Sequence, residues 1–120
     1  FVPRWARYPF EIWIAPYRRT SNIFELSENE QKDLAELMLD ASQSLDKVFG
    51  DPMPYTLAWQ LSPKGYENSY HFHVCFQPIR RSKTKLKYLA GVEQITGFFL
   101  VDLPPERSAR ILRGEELPDE

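Results

Sequence analysis

The sequence predicts an α+β domain: an antiparallel β-sheet, one long helix packed on it, and a short C-terminal helix. Two runs of strand-like residues are separated by a turn-forming segment, which is typical of antiparallel pairing. A longer run before them has apolar residues at helical spacing and clear signals at both ends. The chain has 120 residues, 42% of them hydrophobic. A chain of this size buries roughly two-thirds of its unfolded surface, so we expect one domain, residues 1–120, with a real core.

Composition and sequence pattern argue against several classes of partner. The formal net charge of −2 argues neither for nor against nucleic acid, but the one basic run is short and has no aromatic-basic interleaving on another strand, which argues against that partner. No apolar run approaches the ~18 residues of a membrane span. The single cysteine cannot form an internal disulfide, which favours a reducing compartment. We therefore expect a soluble, cytoplasmic protein with no nucleic-acid or membrane partner.

The first strand is predicted over residues 8–15. The apolar side chains at positions 10, 12 and 14 share one face, while Glu11 and Trp13 lie on the other. Pro9 and Pro16 flank the run, and proline is confined to the ends and edges of strands. We therefore expect the strand to end at position 15.

The long helix is predicted to begin after Ser27. Ser27 and Glu30 form a capping box, in which each side chain satisfies an exposed backbone N–H of the other residue. Apolar residues then recur at helical spacing. They are Leu34, Leu37, Met38, Ala41, Leu45, Val48 and Phe49. Gly50, followed by Pro52, ends the helix, whose apolar stripe is expected to pack on the sheet.

The other two strands are predicted over residues 54–61 and 70–77, joined by a segment rich in turn-forming residues. We call the second one the histidine strand, and its side chains alternate between two faces. One face carries Tyr70, Phe72, Val74 and Phe76. The other carries His71, His73, Cys75 and Gln77, and thus both histidines and the only cysteine. This polar face is the first place to look for a metal, a phosphate or a nucleophile.

Five cationic side chains fall within residues 80–87. Such a run is either a solvated loop or helix flank, or a segment that faces a phosphate. Residues 88–101 are mostly apolar, end in a strand-like run, and contain one acid, Glu93. The Glu93 carboxylate either reaches solvent, pairs with Lys87, or accepts hydrogen bonds from sugar hydroxyls.

The C-terminal helix is predicted from Asp102 to Gly114. Two prolines in its first turn suit the start of a helix, where backbone N–H groups have no intrahelical partner. Gly114 ends it. The acidic tail, residues 115–120, is expected to be frayed.

Several short motifs follow one another along the chain. They are Val2-Pro3-Arg4-Trp5-Ala6-Arg7-Tyr8-Pro9-Phe10-Glu11, Leu57-Ala58-Trp59-Gln60, His71-Phe72-His73, Arg81-Ser82, and Lys87-Tyr88-Leu89-Ala90-Gly91-Val92-Glu93. Taken in order, they resemble the C-terminal half of galactose-1-phosphate uridylyltransferase. The resemblance covers nearly the whole chain. It implies a histidine-triad-like α+β domain, one of two related halves that form a subunit and then a homodimer.

The resemblance implies a division of labour between the two halves. In this family, a histidine of a His-Pro-His motif in the N-terminal half takes the uridylyl group from UDP-glucose and passes it to galactose 1-phosphate. This chain contains no His-Pro-His, so no catalytic residue is expected in it. We also expect preceding residues, since the chain begins without a methionine. Its expected contribution to the nucleotidyltransferase is to hold the substrate.

The resemblance also implies a metal site. His71 and His73 match the family's metal-binding pair, and their spacing allows both imidazoles to serve zinc or iron. Gln60 occupies the position of a third ligand, where the family has histidine, and the family's remaining ligand comes from the absent half. The alternative is that both histidines are structural and hydrogen-bonded.

A second set of residues matches the family's sugar-nucleotide segment. The set is Lys87, Tyr88, Ala90, Gly91 and Glu93. The resemblance implies that Lys87 faces a phosphate, Tyr88 the nucleotide and Glu93 the hexose hydroxyls, within the partner subunit's active site. Val92 replaces a common aromatic residue, and Phe99 replaces a glutamine that contacts the hexose. A different nucleotide sugar, such as an ADP-sugar, therefore stays open.

Two other functions are considered. One is a stand-alone histidine-triad hydrolase or phosphorylase with His73 as the nucleophile, although Cys75 stands where a third histidine is expected. The other is a non-catalytic nucleotide-binding module. A nucleotidyl group carried on His73 would favour the first, and an upstream sequence without His-Pro-His would favour the second.

Overall fold

A computed structural model describes residues 1–119 and contains a three-stranded antiparallel sheet with helices. The strands are β1 (Ile12–Ile14), β2 (Tyr55–Gln60) and β3 (His73–Pro78), in the order β1-β3-β2. The helices are α1 (Glu28–Phe49), α2 (Gly91–Thr96) and α3 (Pro105–Leu112), and a 3₁₀ turn spans Ile23–Glu25. The histidine strand β3 is central. Val74 pairs with Ile14 on one side and with Trp59 on the other.

The long helix has the predicted caps. The Ser27 Oγ accepts a hydrogen bond from the Glu30 N–H at 3.3 Å, and the Ser27 N–H donates to the Glu30 carboxylate at 2.8 Å. Gly50 ends α1 in the left-handed conformation, at φ 70°. The predicted burial of Leu37 is wrong, because that side chain is 49% exposed. Leu37 lines two open clefts together with Pro16 and Tyr17, which follow the end of β1 at Ile14.

The core lies between α1, the sheet and α3. Its buried residues include Phe10, Ile14, Ala41, Leu45, Val48, Phe49, Phe72, Val74, Phe76 and Ile111. The predicted apolar face of the histidine strand is confirmed for positions 72, 74 and 76, each at most 1% exposed. Burial of such side chains is the main favourable term in folding.

The first strand is shorter than predicted: residues 8–11 form a turn, and only Ile12–Ile14 are extended. Phe10 has φ 62°, a left-handed conformation that interrupts a strand. The Glu11 carboxylate accepts the N–H groups of Arg7 and Tyr8, at 2.8 and 3.2 Å. These bonds stabilise the turn, and burial of the Phe10 ring compensates for its unusual backbone conformation.

The histidine strand also begins later than predicted, at His73. Its pairing with β2 ends where Gln60 meets His73, and the Phe72 N–H donates to the Thr20 carbonyl at 2.7 Å instead. Tyr70, which was predicted to share the apolar face, stacks on the His73 ring at 6.0 Å. His71 therefore precedes the strand and is not part of its alternation.

The C-terminal part differs from prediction after α2. Between α2 and position 119 the structure contains no strand: Gly97 turns the chain at φ 73°, and residues 98–100 have no regular structure. The acidic tail folds back on α3, where Arg107 pairs with Glu116 and Asp119 at 2.6 and 2.7 Å. These pairs lie at the surface, where such contacts contribute little stability, so the fraying of the tail stays a prediction, and position 120 lies outside the described residues. Among residues 1–119, no helix is long and apolar enough to cross a membrane.

Candidate functional site

Both histidines are hydrogen-bonded to backbone carbonyls. The His71 Nε2 lies 2.8 Å from the Pro16 carbonyl oxygen, and the His73 Nδ1 lies 2.9 Å from the His71 carbonyl oxygen. A carbonyl only accepts, so each of these ring nitrogens donates a proton. In the neutral imidazoles, the lone pairs are therefore on Nδ1 of His71 and on Nε2 of His73.

An aromatic cluster holds the His73 ring. The Trp13 ring stacks on it with centroids 4.4 Å apart and planes at 22°. Trp5 packs edge-on against Trp13 at 5.4 Å. The Trp13 Nε1–H donates to the Glu11 carboxylate at 2.7 Å, and Glu11 is 1% exposed. Glu11 thus orients both the turn before β1 and the tryptophan that covers His73.

Sequence reasoning did not identify the role of Glu11. The available signal was an acid between two apolar residues, Phe10 and Ile12, in a run predicted to be a strand. Buried carboxylates in such a position need several donors. Here the donors come from the preceding turn and from the tryptophan two residues later.

Two clefts open beside His73. One, of about 640 Å³, is lined by both histidines together with Trp5, Trp13 and Tyr17. The other, of about 380 Å³, brings His73 together with Gln60 and Cys75. Burial raises the pKa of the Cys75 thiol to about 11, and the Glu11 charge adds to the effect. The thiol is therefore protonated and unreactive at neutral pH.

The structure thus brings the three predicted metal-ligand positions to one side of the sheet. His71 and His73 share one cleft, while His73 and Gln60 share the other. Within residues 1–119, no group of three or more histidine, cysteine, aspartate or glutamate side chains is arranged to hold a metal ion. Any ion at the histidine pair would need ligands in addition to these two imidazoles.

The second predicted site is built around a buried ion pair. The Lys87 ammonium lies 3.0 Å from the Glu93 carboxylate, and these side chains are 5% and 1% exposed. Lys87 also donates to the Leu100 carbonyl at 2.7 Å. The Glu93 carboxylate accepts the N–H groups of Ala90 and Leu100, at 2.6 and 2.9 Å. One ion pair therefore ties both ends of the segment 88–100 together.

These contacts determine the charge state of Glu93. The Ala90 N–H, then the Leu100 N–H and the Lys87 ammonium, lower the pKa of the carboxyl from 4.5 to about 2. The group is ionised at neutral pH, and its charge is balanced inside the protein by Lys87. Of the three states considered for Glu93, the structure shows the pair with Lys87.

The rest of the segment 88–100 is exposed. Tyr88 is 80% exposed, and Ala90 and Gly91 also lie at the surface. Phe99 packs against the turn before β1, where the Arg7 guanidinium lies 5.1 Å from its ring centroid and Tyr8 lies 6.0 Å away. The structure thus brings Lys87 and Glu93 together at the base of a protruding loop, with Tyr88 on its outside.

Comparison with known proteins identifies the family. The family model described as galactose-1-phosphate uridyl transferase, C-terminal domain, matches residues 1–120. The chain belongs to that family. The predicted resemblance is therefore confirmed, and so is the fold class, since solved relatives of this family share the arrangement of helices and sheet.

Individual members of the family are similar over most of the chain. The galactose-1-phosphate uridylyltransferase of Thermotoga maritima is 37% identical over 119 residues, which are 97% of this chain and 37% of that protein. The enzyme of the same name from Cryptococcus neoformans is 36% identical over 124 residues, 98% of this chain and 32% of that protein. The chain thus spans about a third of the length of these curated relatives.

Solved structures agree with the sequence comparison. A uridylyltransferase structure superposes with a TM-score of 0.88 at 34% identity, covering 96% of this chain and 37% of that one. An ADP-glucose phosphorylase from Arabidopsis thaliana, solved with ADP-glucose bound, has a TM-score of 0.80 at 28% identity and covers 97% of this chain and 37% of that one. The fold of this chain is therefore similar both to that of a uridylyltransferase and to that of a protein named an ADP-glucose phosphorylase.

Proposed function

We propose that this chain is the substrate-holding C-terminal part of an enzyme that transfers a uridylyl group from UDP-glucose to galactose 1-phosphate. The covalent step belongs to a His-Pro-His motif outside this chain. The contribution of residues 1–120 is positioning, which accelerates a reaction by fixing the reacting groups in a productive arrangement. The reactants are a nucleotide sugar and a hexose 1-phosphate.

The observation that carries this proposal is the buried Lys87–Glu93 pair. It lies at the base of the segment that the sequence resemblance predicts to hold the sugar nucleotide, and it anchors that segment through Ala90 and Leu100. An anchored loop presents its side chains in a defined place, which is what a substrate-holding element requires. Tyr88 on its outer side is available to a nucleotide.

The exposed surface of the segment supports a second subunit as partner. Ile95 and Phe98 are 87% and 75% exposed, and Val92 and Leu100 about half. We refer to these side chains and that of Tyr88 as the apolar patch of the segment; several exposed apolar side chains close together in sequence are a feature of many protein interfaces. We propose that this patch is covered in a homodimer, in which the segment reaches the active site of the partner subunit.

The present contacts of Glu93 determine what must change when it binds a sugar. Its side chain is 1% exposed and already accepts three hydrogen bonds. To bind hexose hydroxyls, it would have to exchange part of these contacts for the sugar. Lys87 would be freed at the same time to meet a phosphate. Substrate binding and opening of the pair are therefore proposed to be coupled.

The proposal is tested with the full-length protein, comparing wild type, Glu93→Gln and the control Glu36→Gln, which removes an exposed carboxylate on α1. Transfer from UDP-glucose to galactose 1-phosphate is measured. Glu93→Gln is expected to reduce kcat/KM by about 100-fold, because small displacements of a positioning element cost that much. Glu36→Gln is expected to match wild type.

The possible results distinguish an error in the proposed function from an error in the proposed substrate-holding site. If wild type and Glu93→Gln are equally active, the result contradicts the proposed role of the segment. Wild type that is inactive with this pair but cleaves ADP-glucose with inorganic phosphate would favour a phosphorylase, as in the Arabidopsis relative. No turnover and no binding of any nucleotide sugar would favour a non-catalytic binding module.

Zinc or iron at the histidine pair is a further part of the proposal. His71 and His73 each keep one ring nitrogen with a lone pair. The other ring nitrogen of His73 donates a hydrogen bond to a backbone carbonyl, as the second nitrogen of a metal-ligating imidazole usually does. The metal content of the full-length protein is the test. Loss of bound metal in His73→Ala but not in Gln77→Ala would support the site. Equal content in both variants would favour structural histidines.

His73 as a nucleophile is the second candidate function, favoured by the lone pair on its Nε2. It predicts a covalent nucleotidyl adduct on this residue. Intact mass after incubation with UDP-glucose would show the adduct in wild type and not in His73→Ala. An adduct that persists in the variant would place the nucleophile elsewhere.

A further inference from the structure

The basic run at residues 80–87 forms a tight hairpin. Arg80 and Leu86 are bridged as antiparallel partners. The N–H groups of Arg81 and Ser82 both donate to the Lys85 carbonyl, at 2.9 and 3.3 Å, and the Lys85 N–H donates back to Ser82 at 3.4 Å. The backbone of the hairpin is therefore held in a defined shape by its own hydrogen bonds.

We propose that this hairpin is a phosphate-binding site in addition to Lys87. An open cleft of about 560 Å³ is lined by Arg81, Thr84, Lys85, Leu86 and Tyr88. Two cations and a hydroxyl supply donors for a phosphate group. The Tyr88 ring gives a flat surface for a base attached to it. The ligand class is thus a phosphate group, free or carried by a nucleotide.

The charge around the cleft favours an anion. None of its lining residues is acidic. Arg81 has a carboxylate neighbour in Asp102 at 3.4 Å, with both side chains about half exposed, and such a pair is weak because water screens it. Within the described part of the chain, Lys85 has no ion-pair partner. Two neighbouring cations without full counter-charge repel each other, and an anion would offset that repulsion.

The donors of the hairpin are also incompletely used. The Arg80 Nη1 and Ser82 Oγ are buried and have no hydrogen-bond partner among residues 1–119. Buried donors are nearly always paired in folded proteins. Neither residue lines the cleft, so these atoms are unpaired donors beside it, and the proposed site itself depends on Arg81, Thr84 and Lys85.

Because Lys87 is buried and paired, the cations that an approaching ligand can reach in this cleft are Arg81 and Lys85. The Lys87 ammonium is 5% exposed and bonded to Glu93 and Leu100. A phosphate group that approaches the domain therefore meets Arg81 and Lys85 before Lys87. The inference requires phosphate binding only, and it stands whether or not the protein catalyses the proposed transfer.

Titration of the full-length protein with inorganic phosphate, followed by calorimetry at low salt, tests the site. Lys85→Ala is compared with Lys64→Ala, which removes an exposed lysine from the loop between β2 and β3. Lys85→Ala is expected to raise the Kd for phosphate by about three- to tenfold, since charge-assisted hydrogen bonds at a partly exposed site are worth that much. Lys64→Ala is expected to leave it unchanged.

Unchanged phosphate affinity in both Lys85→Ala and Arg81→Ala would overturn the site. Equal weakening in Lys64→Ala would also overturn it, since the effect would then be one of overall charge. A second titration with UDP identifies the source of the phosphate. If Lys85→Ala weakens UDP as much as inorganic phosphate, the site takes a phosphate carried by a nucleotide; if it weakens inorganic phosphate alone, the site takes a free phosphate group.

Discussion

The two candidate sites predicted from the sequence, around His73 and in the segment 88–100, are stabilised in different ways. Around His73, the support is distributed: a backbone carbonyl, the stacked Trp13 ring and the buried Glu11 carboxylate all contribute. The segment 88–100 is held mainly by one carboxylate, Glu93, which accepts from Lys87 and from two backbone N–H groups. The contacts of the first region are thus shared among several residues of the core, whereas those of the second converge on one residue.

This difference suits the functions proposed for the two regions. A histidine face on the central strand is part of the core, since Phe72, Val74 and Phe76 lie directly behind it. A loop anchored at its base can open without disturbing that core, and elements of this kind belong to the less stable part of a protein. The comparison therefore predicts global effects from changes near β3 and local effects from changes near Glu93.

The largest effect is expected from Phe76→Ala. Phe76 is 1% exposed on β3, and truncating such a ring costs roughly 3–5 kcal/mol of unfolding free energy. Ile95→Ala, in the exposed segment, is expected to change it by less than about 0.5 kcal/mol. Denaturant unfolding of both variants measures this. Similar losses in the two would contradict the division between core and segment.

Acid is expected to release the segment before it unfolds the core. The carboxyl of Glu93 has a pKa of about 2 in the folded segment, against 4.5 as its usual value. A lowered pKa means that the folded form binds the proton less well, so the stabilisation is complete above pH 4.5 and is lost as the pH falls towards 2. Hydrogen exchange at the Ala90 and Leu100 amides, corrected for intrinsic rates, measures it.

Glu93→Gln is the control for this experiment. Without an ionisable group at position 93, the pH dependence of exchange at these two amides should disappear between pH 4.5 and 2. Amides of β3, such as that of Val74, should stay protected in wild type over the range where the segment opens. Simultaneous loss of protection in both regions would show that the segment is not an independent unit.

A smaller effect is expected from Trp13→Phe. The variant keeps an aromatic ring beside His73 but removes the indole N–H that donates to Glu11 at 2.7 Å. A hydrogen bond to a charged group is worth roughly 1.5–3 kcal/mol, and the loss should appear in global unfolding. Trp59→Phe is the matched control, because its ring stacks on Phe72 at the other edge of the sheet. A loss as large in the control would mean that ring size, not the Glu11 bond, decides the effect.

Local sequence patterns predicted the features that depend on neighbours in the chain. The capping box of Ser27 and Glu30 and the buried face of β3 follow from spacing alone. The short β1 did not follow from the pattern, because a left-handed Phe10 is stabilised by tertiary packing. The carbonyl partner of His71 is 55 residues away at Pro16, a distance that no local pattern spans.

In the candidate sites, too, features local in sequence were predicted and features that depend on tertiary structure were not. The sequence marked Lys87 and Glu93 and included their pairing among the possibilities. It did not predict that Leu100 would close the loop on that pair, since this depends on the turn at Gly97. Nor did it predict the Trp13 ring over His73, which requires β1 and β3 to be adjacent.

The smallest effects are expected from changes at two helix ends, the start of α1 and the end of α2. Ser27→Ala removes the N-cap of α1, which packs on the sheet, and should lower global stability by about 1 kcal/mol. Thr96→Val removes a hydroxyl at the end of α2 that bonds the Val92 carbonyl and the Phe98 N–H. Because α2 belongs to the separately anchored segment, this loss should increase hydrogen exchange at Phe98 and leave the denaturation midpoint unchanged. A shifted midpoint in Thr96→Val would join the segment to the core and remove the basis for proposing that it opens on its own.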